Sequence, residues 1–128
     1  MEKQVEYWLT ESEKDLPVAE SMLANGHYNW SLFVGHLVLE KLLKAIYVKE
    51  HQKLAPRIHD LVKLAKSINL NLSDKQLVFL SEVSDFNMES RYPDEKNQFL
   101  KQCNREFAEK YLKQIKETHS WLKKQIKE

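Results

Sequence analysis

WSLFVGHLVLEKLLKAIYVKE, residues 30–50, is the stretch of sequence that decides the fold. Apolar residues occupy almost every face of a helix drawn through it. The residues that are not apolar are a minority, and those in its middle part are Gly35, His36, Glu40, Lys41 and Lys44. A helix that is apolar nearly all round lies at the centre of a protein or against a second subunit. The stretch therefore predicts a central helix capped by Asn29, and its surplus of apolar surface predicts a homodimer.

The segments on both sides of this central helix are also predicted to be helical, because apolar residues recur at three- and four-residue steps. They predict a helix over 3–24, a short helix beginning at His59-Asp60, a helix opened by the capping box Ser73–Gln76, and a final helix over 97–127. Only two glycines and three prolines occur in 128 residues, too few for the turns of a sandwich or barrel. We therefore expect one domain over 1–128, an all-α up-and-down bundle of four long helices and one short helix.

Composition excludes several classes of function. Two isolated glycines cannot form the loops that bind phosphates in P-loop or dinucleotide-binding proteins. A single cysteine, Cys103, excludes a disulfide framework and a cysteine-based zinc site, and its place in the helical pattern predicts a buried structural thiol. The longest apolar run, Ala45–Val48, is four residues, and residues 1–4 show no signal-peptide pattern. We expect a soluble, cytoplasmic protein that does not bind membranes.

The net charge of +1 hides an uneven distribution. Residues 1–25 carry six acidic and two basic side chains, whereas residues 101–128 carry eight basic and four acidic ones. One interpretation is that the two ends pack antiparallel and neutralise each other. The other is that the basic C-terminal stripe binds phosphates. We favour the first interpretation.

Histidines beside carboxylates are the first candidates for chemistry. His36 and Glu40 stand four residues apart on one helix face, which could begin a metal site, but no third ligand is near in sequence. We interpret this pair as a polar seam within the bundle, with Glu40 paired to Lys44, and expect no metal and no cofactor. Asp60 is interpreted as the N-cap of the short helix. The alternative, His59 as a general base, needs a nucleophile and an orienting partner that the sequence does not place.

Arg91-Tyr92-Pro93-Asp94 interrupts the helical pattern. In a structural role, Arg91 would pair with Asp94 or cap the preceding helix. In a functional role, an arginine at a helix end beside a tyrosine suits contacts to phosphates and bases, because the guanidinium forms bidentate hydrogen bonds. The sequence leaves both interpretations open.

Four motifs in order along the chain together resemble the HEPN domain family. Glu13–Leu16 is similar to the first helix of the family, and Glu40–Ala45, which reads Glu-Lys-x-x-Lys-Ala, to its second. His59–Leu61 is similar to its His-Asp-Leu element, and Arg91–Asp94 to the Arg-Tyr-Pro element of one subgroup. The resemblance implies an up-and-down helical bundle that commonly forms homodimers. It also implies a prokaryotic setting of toxins, nucleotidyltransferase partners and RNA-cleaving modules.

One departure from the family bears on activity. The resemblance implies that RNA-cleaving members carry an arginine and a histidine separated by four to six residues. After Arg91 those positions, 96–98, hold Lys, Asn and Gln, and neither Arg57 nor Arg105 has a histidine at that spacing. Without the imidazole, attack by a ribose 2′-hydroxyl lacks its acid or base. We expect the ribonuclease signature to be absent and lean against an enzyme.

The sequence therefore supports three hypotheses. The first is a non-catalytic, homodimeric HEPN-like module that binds a nucleotide or nucleic acid, or docks a nucleotidyltransferase in a toxin–antitoxin-like system. The second is a divergent, metal-independent ribonuclease that uses Arg91 and a distant histidine such as His36 or His59. The third is a purely structural or regulatory dimerisation adaptor. The candidate ligand- or partner-binding residues are Arg91, Tyr92 and Asp94, followed by Lys41, Lys44, His59 and Asp60.

Overall fold

The computed structural model describes residues 1–87 and 92–126, and those ranges contain six α-helices and no strand. The helices are α1 (Glu2–Ala24), α2 (Tyr28–His51), α3 (Leu61–Lys66), α4 (Asp74–Ser84), α5 (Pro93–Gln102) and α6 (Arg105–Ile126). The predicted all-α helical bundle is confirmed. Within the same two ranges, none of the helices combines the length and the apolar character needed to cross a membrane.

Helix α2 is the centre of the fold, as its sequence predicts. Fourteen of its 24 residues are buried, and it packs against α1, α3, α4 and α6 of the same chain. A single chain therefore already buries most of the apolar side chains of α2, while Trp30 in its first turn stays 49% exposed. The homodimer predicted from the apolar surface of α2 stays a prediction.

The start of α2 also differs from the prediction that Asn29 caps it. Gly26 adopts a φ of +82°, in the left-handed region that glycine enters at little cost, and ends α1. The His27 amide then donates to the Met22 carbonyl at 2.8 Å, so the chain turns back early. The helix begins at Tyr28 with His27 in the cap position, and Asn29 lies inside its first turn.

Two small hydroxyl side chains join α1 to α2. Ser12 Oγ donates to the Val38 carbonyl at 2.8 Å, and Ser31 Oγ donates to the Ala19 carbonyl at 2.7 Å. All four residues are fully buried, so both hydrogen bonds are shielded from water. Small residues at these positions allow the two helices to pack closely along their length.

Gly35 allows the same close approach between α2 and α6. A Cβ built on Gly35 would lie 2.9 Å from Cδ1 of Ile115, closer than real side chains approach. Ile115 is fully buried, so it has little room to retreat. The hydrogen atom of Gly35 therefore sets how near α6 lies to the central helix.

The opposite charges at the two ends of the chain meet across α1 and α6. Lys123 Nζ lies 2.5 Å from a carboxylate oxygen of Glu13, and Lys116 Nζ lies 3.4 Å from one of Glu20. Residues early in α1 thus pair with residues late in α6, and the two helices run antiparallel. The interpretation that the two ends neutralise each other is confirmed.

The final helix predicted over 97–127 is two helices. Proline is well tolerated in the first turn, so α5 begins earlier, at Pro93. The chain leaves the helical conformation at Cys103, and the side chain of Asn104 caps the next helix by accepting from the Phe107 amide at 2.9 Å. With this break, Phe99 is buried and Leu100 is 47% exposed.

Cys103 is buried, as expected for a structural thiol. Burial raises the pKa of its thiol to about 11, because the thiolate would lose its hydration. A thiol in this state is protonated near neutral pH and a poor nucleophile. Cys103 therefore contributes to packing at the joint between α5 and α6.

A pH-dependent loss of stability is expected from His119 of α6. It is buried beside Glu13 and Lys123, and among residues 1–87 and 92–126 nothing hydrogen-bonds its Nε2. Burial lowers the pKa of His119 below the usual 6.5, so the unfolded chain binds this proton more readily than the folded one. The contribution of neutral His119 to the free energy of unfolding is therefore complete above pH 6.5 and decreases as the pH falls below that value.

The measurement is the melting temperature of wild type and His119→Gln between pH 7.5 and 5.5. The variant should lose less on acidification than the wild type does. His27→Gln, which changes an exposed histidine, is the control and should keep the wild-type dependence. Equal pH dependence in wild type and His119→Gln would contradict the assignment.

Candidate functional site

A buried carboxylate on α2, Glu40, organises the most polar part of the interior. Its Oε2 accepts from Lys44 Nζ at 3.0 Å, and its Oε1 accepts from His59 Nδ1 at the same distance. His36 Nε2 lies 3.5 Å from Oε1. We refer to His36, Glu40, Lys44 and His59 as the Glu40 cluster. The four-residue spacing of the first three places them on one face of α2.

The hydrogen bonds of His36 define its protonation. His36 Nε2 donates to the carbonyl oxygen of His59 at 3.1 Å, since a carbonyl only accepts. Burial lowers the pKa of His36, although Glu40 and the hydrogen bond act in the opposite direction. The ring is therefore neutral, with its proton on Nε2. No residue in the described part of the chain hydrogen-bonds its buried Nδ1.

His59 is the member of the cluster that reaches solvent. Its side chain is 65% exposed, whereas the side chain of Glu40 is 5% exposed. A carboxylate accepts and does not donate, so Nδ1 of His59 carries a proton, which lies between the ring and Glu40. Nε2 keeps its lone pair, and none of the described side chains hydrogen-bonds it. The structure thus supplies the orienting partner that the sequence could not place.

Lys44 sits between the carboxylate and an aromatic ring. Its ammonium forms the buried ion pair with Glu40 and lies 5.2 Å from the ring centroid of Trp8 on α1. This distance suits a cation–π interaction. The predicted pairing of Glu40 with Lys44 is confirmed. The contribution of Trp8 was missed, because the helical period of α1 indicates only that Trp8 faces the core.

Two other candidate residues have structural partners. The side chain of Asp60 accepts from the amides of Val62 and Lys63 at 3.0 and 3.2 Å, so the predicted N-cap of α3 is confirmed. Lys41 forms a 2.6 Å ion pair with Asp15 of α1 and is not part of the Glu40 cluster. Both residues hold neighbouring elements in place.

The remaining candidates belong to the segment after α4. Arg91 lies outside the described residues. Tyr92 is 77% exposed at the N-cap position of α5, and Asp94 is exposed in the first turn of that helix. Ser84, at the end of α4, accepts a hydrogen bond from the Leu61 amide at 2.8 Å. The end of α4 thus lies beside Leu61, which begins α3 and follows His59 by two residues.

The described ranges contain no group of three or more His, Cys, Asp or Glu side chains arranged to hold a metal ion. Two imidazole nitrogens of the Glu40 cluster carry protons and so offer no lone pair to a metal ion. They are Nε2 of His36, which donates to a backbone carbonyl, and Nδ1 of His59, which donates to Glu40. The carboxylate of Glu40 is satisfied by Lys44 and His59, whereas the buried Nδ1 of His36 has no partner among the described residues. Its chemistry is that of proton sharing between imidazole and carboxylate.

These features define an all-α helical bundle in which a buried polar cluster ends on an exposed histidine. The family model for the HEPN domain matches residues 5–125, so the chain belongs to the HEPN domain family. The family is associated in general with nucleotides. The resemblance drawn from the four sequence motifs is confirmed.

One solved structure shares the fold. The chain is similar to the protein in the crystal structure of TT1696 from Thermus thermophilus, with a TM-score of 0.78. The two sequences are 17% identical, and the match covers 94% of this chain and 97% of the other. At this identity the likeness shows the fold alone. Comparison with curated proteins gives no match.

The Glu40–Lys44 pair generates a stability prediction. Glu40→Leu leaves the ammonium of Lys44 buried without its counter-ion and should cost about 3–5 kcal/mol of unfolding free energy. Adding Lys44→Met removes the stranded charge and should recover most of that loss. Denaturant unfolding of the three proteins measures this directly.

The exposed pair of Arg105 and Glu109 on α6 is the matched control, because it has the same four-residue spacing. Glu109→Ala should change the unfolding free energy by less than about 1 kcal/mol, as is usual for pairs on the surface. A loss from Glu40→Leu as small as that from Glu109→Ala would show that the buried pair contributes no more than an exposed one.

Proposed function

We propose that this HEPN domain is a non-catalytic binding module for a nucleotide or nucleic acid, and that His59 contacts a phosphate of the ligand. One observation carries the proposal. The imidazole of His59 is exposed, yet its Nδ1 is held by a carboxylate that is itself buried. An exposed side chain whose orientation is already set loses less conformational entropy when a ligand binds.

The surroundings of His59 suit an anion. When protonated at Nε2, the ring donates a charge-assisted hydrogen bond to a phosphate oxygen. The negative charge of Glu40 would oppose an anion nearby, but Lys44 neutralises it inside the protein. Lys44, Lys41 and Asp60, which were candidates for ligand contact, are assigned in this proposal to positioning the elements around His59, because each has an internal partner.

The proposed contact surface also includes Arg91, Tyr92 and Asp94, because residues of these types adjacent in sequence suit contacts to a phosphate and a base. Among the described residues, the contact between Leu61 and Ser84 brings the end of α4 close to the start of α3, near His59. A guanidinium beside an exposed tyrosine suits a phosphate next to a base.

Titration of a fluorescently labelled single-stranded RNA, and of AMP and ADP, tests the proposal. We expect His59→Ala and Arg91→Ala each to weaken binding by about 1–3 kcal/mol, the range for hydrogen bonds to charged groups, with melting temperatures near wild type. His27→Ala, at an exposed histidine away from the cluster, should bind as wild type does. Binding that is unaffected by His59→Ala would refute the assignment.

The same samples address the second candidate function, a divergent ribonuclease that uses Arg91 and a distant histidine. One observation favours it: His59 has the oriented ring that a general base requires. We expect the RNA to be recovered intact after incubation, because the arginine–histidine signature is absent. RNA cleavage that is lost in His59→Ala would promote this second candidate.

We also propose that the domain is a homodimer and docks a nucleotidyltransferase partner in a toxin–antitoxin-like system, which the family resemblance supports. Light scattering at micromolar concentration should give about twice the chain mass of 15.3 kDa. A monomer over that range would remove the dimer. If dimerisation is found without any ligand, the remaining interpretation is a structural adaptor.

A further inference from the structure

We propose that Nε2 of His59 is a nucleophile that accepts a phosphoryl group, so that His59 is a phosphorylation site. This inference rests on the proposed function, because that function places a phosphate at this ring. It goes beyond binding by assigning a covalent step to the same atom. The donor class is an acyl phosphate or another phosphoryl donor with a good leaving group.

The tautomer of His59 is the first support for the inference. Glu40 accepts the Nδ1 proton through both carboxylate oxygens, at 3.0 and 3.2 Å, which leaves the lone pair on Nε2. A histidine becomes a better nucleophile when a neighbouring group removes or stabilises the charge that develops on its ring. The exposed side chain leaves room for a donor to approach.

The electrostatics of the cluster are the second support. Attack through Nε2 places positive charge on the imidazole, and the carboxylate of Glu40 lies against its far side. An uncompensated carboxylate would repel the incoming phosphate. Lys44, 3.0 Å from the other carboxylate oxygen, offsets that repulsion. The hydrogen bond from His36 to the His59 carbonyl holds the backbone beneath the ring.

The proposed step balances without a further reagent. The lone pair of Nε2 forms a bond to phosphorus, while the bond from phosphorus to the leaving oxygen breaks and its electron pair departs with that oxygen. An acyl phosphate releases a carboxylate, which requires no proton. The proton stays on Nδ1, and the carboxylate of Glu40 stabilises the positive charge that develops on the ring. Hydrolysis of the N–P bond returns His59 and inorganic phosphate.

The other histidines provide internal controls. His27 is also exposed but has no ion pair with any described carboxylate. His51 uses its Nε2 in a 2.6 Å hydrogen bond to the Ser67 carbonyl. His36 and His119 are buried. The proposal therefore predicts selective modification of one histidine among five in a single chain.

The test is incubation of the full chain with acetyl phosphate, followed by ³¹P NMR and by mass spectrometry under non-acidic conditions to locate the phosphate. We expect an acid-labile phosphohistidine, with occupancy at His59 at least about tenfold above that at His27. His59→Gln should abolish this signal, and His27→Gln should leave it unchanged. Because the occupancy ratio is measured within wild-type protein, it does not depend on whether any variant folds.

In Glu40→Gln, checked for folding by circular dichroism, the ratio of phosphate occupancy at His59 to that at His27 should approach one. Equal modification of the two histidines in wild type, or no phosphohistidine at all, would overturn the inference. RNA binding that depends on His59 without phosphorylation would leave the proposed function intact and remove only this step. If neither RNA binding that depends on His59 nor phosphorylation of His59 is found, both proposals are refuted.

Discussion

A carboxylate buried in the central helix is the constraint on which the rest of the site depends. Removing Glu40 from water is costly unless donors replace its hydration, and the fold supplies them from two different elements. Lys44 lies one turn along α2, whereas His59 precedes α3. Satisfying this one group therefore determines where the segment before α3 sits against α2. It also explains why a side chain as exposed as that of His59 has a defined orientation.

The close packing of helices around α2 depends on the small size of certain buried residues as much as on the hydrophobicity of the others. Buried hydroxyls at Ser12 and Ser31 bond to carbonyls of the facing helix, and Gly35 provides space for Ile115. The ion pairs between α1 and α6 close the bundle on the outside. The polar cluster is thus enclosed in a frame whose interhelical distances are short. A short distance between helices leaves little freedom for the groups held between them.

Local signals in the sequence were sufficient for much of this structure, and contacts across the fold were not. The N-cap at Asp60 and the capping box at Ser73 were predicted because they depend on neighbours two or three residues away. The break at Asn104 was missed, since apolar residues keep the helical spacing through it. The hydrogen bond between Glu40 and His59 joins residues 19 positions apart in different elements. No periodicity specifies that distance, so the partner of His59 required the structure.

The joint between α5 and α6 has a mechanical consequence. A single straight rod would act as a lever and would transmit any displacement of Tyr92 along its whole length to the ion pairs near the C-terminal end. Two helices with a non-helical joint at Cys103 and Asn104 do not form such a rod. Phe99 packs α5 against the aromatic side chains of Phe86 and Phe107. The start of α5 is therefore not a rigid extension of α6, which packs against α1 and α2.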